Sequence, residues 1–79
     1  MSVHVQLSDY LQKYVPGYNH KTGILMESVD GWTVRMIIEE LKIPINEVSI
    51  VMLNSYPRNT QSTLKDGDFI FLSKIFGGG

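Results

Sequence analysis

Cysteine is missing from all 79 residues, so the chain has no disulfide, no thiolate metal site and no thiol nucleophile of its own. A domain without such staples must be held by packing alone. Neither sign of charge dominates: 7 basic and 8 acidic side chains leave a formal net charge of −1. That balance excludes the basic surface that nucleic-acid phosphates require, and gives no pointer to an anionic membrane. Long apolar runs are also missing, since none approaches the roughly 20 residues that span a bilayer. The start, Met1-Ser2-Val3-His4-Val5-Gln6-Leu7, lacks the basic and apolar regions of a secretory signal, so a cytoplasmic protein is expected. No internal repeat occurs, and the one low-complexity stretch is Gly77-Gly78-Gly79.

What is present suits one small domain. A composition 43% hydrophobic and 19% charged is that of an ordinary globule. Val3, Val5 and Leu7 alternate with Ser2, His4 and Gln6, the period of a half-buried strand. A short helix is expected within Tyr10–Val15, capped by Ser8 or Asp9 and ended by Pro16-Gly17. A second strand is predicted over Thr22–Val29, closing at Asp30-Gly31. Val34, Ile37, Ile38 and Leu41 recur at i, i+3, i+4 and i+7 and predict the main helix, with Thr33 or Asp30 as cap and Pro44 as stop. Val48–Leu53 reads as a strand apolar on both faces, Asn54–Asn59 as turn chemistry, and Phe69–Leu72 as the last strand. The order β-β-α-β-β predicts an α+β fold, a sheet of four to five strands on one helix over residues 1–76, with a glycine tail at 77–79.

Few residues offer chemistry of their own. Asp66 and Asp68 flank Gly67 and read as turn residues rather than an acid–base pair. His4 and His20 have no partner at metal-ligand spacing. Tyr10, Tyr14 and Tyr18 recur every four residues, but Pro16-Gly17 interrupts the series, which favours packing over a stacking platform. Trp32 is expected to pack at the helix start, and Met26, Met36 and Met52 are core candidates. No nucleophile–base set, phosphate loop or metal cluster is visible, so the chain is expected to be a substrate rather than a catalyst.

Leu41-Lys42-Ile43 at the helix end, the strand reaching Asn54, the phrase Leu64-Lys65-Asp66-Gly67-Asp68-Phe69-Ile70, and the closing Gly78-Gly79 together resemble the ThiS/MoaD group of sulfur carriers, which are β-grasp, ubiquitin-like proteins. The resemblance implies that a partner E1-like enzyme adenylates the C-terminal carboxylate of Gly79. ATP and Mg are then held at that partner, and no cofactor by the chain. It implies a sulfur donor, such as a cysteine desulfurase or rhodanese-type protein, that leaves a thiocarboxylate. A downstream synthase or acceptor then takes the sulfur, in molybdopterin- or thiamine-type cofactor synthesis or tRNA thiolation. From the charge balance, neither a direct nucleic-acid partner nor a membrane partner is expected.

Elementary chemistry fits these implications. An α-carboxylate, with a pKa of about 3.5, is ionised at neutral pH and can attack phosphorus once its charge is offset. Glycines at 77, 78 and 79 have no Cβ to obstruct a narrow channel or the acyl carbon. Ordering such a tail costs roughly 1–2 kcal/mol per residue, so a docking patch is expected to offset it. The candidates are Phe76 and Ile75 beside the tail, and whichever of Val51, Leu53, Phe69 and Phe71 point away from the helix. MoaD-like tails commonly carry proline shortly before the glycines. Ser73-Lys74-Ile75-Phe76 stands here instead, which leaves the pathway open. Two other roles remain compatible: a modifier joined to lysines through the same tail, and a non-covalent β-grasp interaction module.

Overall fold

A computed structural model describes residues 1–76; Gly77, Gly78 and Gly79, on which the activation expectation falls, lie outside the described residues. Strand β1 (Ser2–Leu7) leads to a short helix α1 (Asp9–Gln12) and strand β2 (Ile24–Glu27). The main helix α2 (Val34–Glu40) and a 3-10 turn (Ile45–Glu47) follow. Strands β3 (Ile50–Leu53), β4 (Tyr56–Pro57) and β5 (Phe69–Ser73) complete one sheet in the order β2-β1-β5-β3-β4. β1 and β5 run parallel at its centre and every other pairing is antiparallel. This is the expected β-grasp arrangement.

The sheet has one covered face. Val3, Val5 and Leu7 of β1, Ile70 and Leu72 of β5 and Val51 of β3 are buried in one cluster with Val34, Ile37 and Ile38 of α2. Leu11, Val29, Ile43 and Leu64 close its rim. The period-two and period-3.6 patterns therefore meet, as burial of both apolar faces demands.

Capping fixes α2 at both ends. Thr33, not Asp30, is the N-cap, and its side chain accepts the Met36 N–H at 3.4 Å. The next free helix amides are satisfied by a neighbouring loop, Val34 N–H donating to Ser62 O and Arg35 N–H to Thr60 O. At the other end Lys42 takes φ +60°, Lys42 N–H donates to Glu39 O and Ile43 N–H to Ile38 O. That is a Schellman motif built without glycine; Ile43 and Ile38 are both buried in the core cluster, and Pro44 follows.

Some boundaries differ from expectation for local reasons. β2 stops at Glu27 because Ser28 turns to φ +61°, and α1 ends at Gln12. Ser8 stands at the N-cap position of α1, yet its hydroxyl makes no cap bond. Asn54 and Ser55, both at positive φ, form a two-residue type I′ connection, so part of the expected turn is the hairpin strand β4. Met36 is exposed, which corrects its placing in the core; two residues after Val34, it lies off the buried stripe of Val34, Ile37 and Ile38 and beside the exposed Arg35. Among the described residues no helix is long and apolar enough to cross a membrane.

Candidate functional site

Alternation along β3 and β5 sorts the docking candidates. Ile70 and Leu72 are fully buried, so Phe69 and Phe71 point to the opposite, open face of the sheet. Val51 is only 7% exposed and Leu53 packs against the same core. Both are therefore corrected, because they face the helix; Met52 between them is corrected too, from a core candidate to the open-face position. Register places Met52 beside Phe71 and Phe71 beside Gln6. One row further, Phe69 lies beside His4, and His4 beside Leu25. The His4 ring stacks on Phe69 with centroids 5.3 Å apart and planes 10° from parallel. Met52, Ser55, Phe69 and Phe71 line a shallow groove of about 230 Å³.

The turn before β5 is structural. Asp68 is buried, and its carboxylate accepts Asn54 Nδ2–H at 2.8 Å and Lys65 N–H at 2.7 Å. Asn54 returns its own amide oxygen to Phe69 N–H at 2.8 Å. Asp66 accepts Ser2 N–H at 2.9 Å. These bonds aim β5 into the centre of the sheet, and with it the chain's approach to the glycines.

Beyond Ser73 the chain leaves the sheet beside α1. Ile75 and Phe76 are 58% and 65% exposed. The Phe76 ring meets Tyr10 edge-on at 4.7 Å, and Lys74 Nζ is paired with Glu47 Oε2. The other Glu47 oxygen accepts the hydroxyls of Tyr10 at 3.3 Å and Tyr14 at 3.2 Å. Lys13 Nζ lies 3.9 Å from the Tyr10 ring centroid. Hydrogen bonding from Lys74 lowers the Glu47 pKa against a burial effect of opposite sign, and the same bond raises that of Lys74. Burial, followed by the Glu47 charge, raises the Tyr14 phenol.

Sequence reasoning missed this cluster. The i, i+4 spacing of Tyr10 and Tyr14 signalled a shared side, but nothing in the sequence ties them to Glu47, more than 30 residues on. Tyr18, the third of the series, packs against the core and accepts Leu7 N–H at 2.9 Å, and Trp32 also packs there. Among the described residues no group of three His, Asp or Glu side chains is placed to hold a metal ion.

Comparison with known proteins now gives this geometry a context. The structure superposes on SAMP1 from Haloferax volcanii with a TM-score of 0.69, 13% identity and full coverage of both chains. It also matches a chain from the complex of subunits 1 and 2 of molybdopterin-converting factor from Helicobacter pylori 26695, with a TM-score of 0.62, 25% identity and full coverage of both. No curated protein matches the sequence. The family model described as Mut7-C ubiquitin matches residues 1–76, the whole of the described domain, and the chain belongs to that family.

Proposed function

We propose that this chain is a sulfur carrier whose Gly79 carboxylate is activated by a separate adenylating enzyme. The carboxylate attacks the α-phosphorus of ATP, pyrophosphate leaves, and a persulfide sulfur displaces AMP from the acyl carbon. A thiol then releases the thiocarboxylate. ATP and Mg belong to the partner, and the chain contributes a handle and a grip. The observation that supports this most is the course of β5. A central strand, fixed by the Asp68–Asn54 bonds, runs past an open apolar face of Phe69, Phe71 and Met52 and leads directly toward the glycines. That juxtaposition suits a partner that holds the body while threading the tail. The Helicobacter pylori chain comes from a protein–protein complex, which favours a protein partner here too.

The family's ubiquitin designation also favours a second use of the same activated tail, conjugation to lysine. A covalent lysine adduct in cells distinguishes it. Activation itself is tested by pyrophosphate exchange into ATP with an adenylating enzyme from the same organism. Exchange that depends on this chain, and is lost when one residue is added after Gly79, is expected. Equal exchange with the extended chain contradicts the proposal.

A further inference from the structure

Lys74, Ile75 and Phe76 have left the sheet, and among the described residues their backbones make no hydrogen bond. The last backbone tie is Ser49 N–H to Ser73 O at 3.0 Å. The segment nevertheless lies against the body; Lys74 Nζ stands 5.4 Å from the Tyr10 ring centroid, and two closer side-chain contacts hold the segment there. One is the Lys74 ammonium on Glu47; the other is the Phe76 ring on Tyr10. They are not independent, because Glu47 also accepts the Tyr10 hydroxyl and so fixes the ring that Phe76 meets. Glu47 and Lys74 are 22% and 27% exposed, so the pair is partly shielded from water and salt. Lys13 Nζ also lies over the Tyr10 ring.

We propose that Glu47 is a positioning residue for the tail, holding Lys74–Phe76 against Tyr10 so that the chain enters its glycines from a fixed point and direction. This rests on the reading of Gly79 as the activated residue. Chain ordered before binding need not be ordered at the partner's channel, so the latch acts on recognition of the carrier rather than on the chemical step.

Nitrogen-15 relaxation of the free protein tests the latch without any partner. Lys74→Arg keeps the cation, and Lys74→Met removes it. Glu47→Gln keeps an acceptor for the tyrosines and loses the charge. In the parent protein and Lys74→Arg, the heteronuclear NOEs of Ile75 and Phe76 should match those of β5. In Glu47→Gln and Lys74→Met they should fall while β5 is unchanged. In pyrophosphate exchange, the two released variants should raise the KM for the carrier about five- to tenfold with kcat within about twofold. Phe76 as ordered in Glu47→Gln as in the parent overturns the latch. A KM that stays level or falls on release overturns its positioning role. No exchange with the parent chain counts against the functional reading instead, and relaxation still decides the latch.

Discussion

Gly23 is where one residue most constrains the chain. Its φ is +66°, and a Cβ there would lie 2.6 Å from Val5 O and 2.8 Å from His4 Nε2. Gly17 has a similar φ, +83°, but open space around it. Gly23→Ala should therefore destabilise the fold by about 2–3 kcal/mol and Gly17→Ala by about 1 kcal/mol, read from urea midpoints at unchanged slope. Equal losses would mean that backbone conformation alone sets the cost at Gly23. Glu47 offers a pH signature. Its folded pKa is lowered, so its stabilisation is complete above the ordinary carboxylate range and is lost as pH falls through the lowered value. Lys74, raised, keeps its contribution below the ordinary lysine range and loses it as pH climbs beyond. The stability gap between the parent and Glu47→Gln should be level from about pH 6 to 9 and close below about pH 4. A gap unchanged at pH 3 would show that the Glu47 charge does not contribute.

Strands β3 and β5 show why alternation was only half legible. Ile50–Leu53 is apolar throughout, so periodicity could not assign Val51 and Met52 to faces; pairing with β5 does. The result separates stability from docking. Val51→Ala should cost roughly 2 kcal/mol and leave carrier activation at saturating concentration intact. Phe69→Ser and Met52→Ser should cost less than about 1 kcal/mol each, because neither fills the core, yet raise the KM in pyrophosphate exchange. Thermal melts beside exchange kinetics check both. If Val51→Ala alone raised the KM, the open face would not be the docking surface. The main helix was legible in its apolar stripe and its extent, while the choice of Thr33 over Asp30 as cap and the exposure of Met36 came with the structure. The Schellman turn at Lys42 and the type I′ turn at Asn54-Ser55 were not legible, because both place non-glycine residues where glycine is the usual signal.

For the whole molecule, four strand patterns and one helix pattern predicted an α+β sheet packed on one helix, and the β-grasp arrangement was implied by the resemblance carried by Leu64–Ile70 and the closing glycines. The parallel β1–β5 pairing at its centre came only with the structure, since it joins the first and last strands. The Tyr10–Tyr14–Glu47–Lys74 cluster was hidden for the same reason: three distant segments meet only after the sheet forms. Folding thus sets Lys74 and Phe76, the approach to a glycine run that alone says little, against Glu47 and Tyr10. The most direct test of the glycine run's proposed use is the intact mass of the chain after incubation with ATP, Mg, its adenylating enzyme, a persulfide donor and a thiol. The predicted result is a mass gain equal to one oxygen exchanged for sulfur, located at Gly79 and absent without ATP. An unchanged mass in a reaction where the enzyme and donor are demonstrably active would contradict the account.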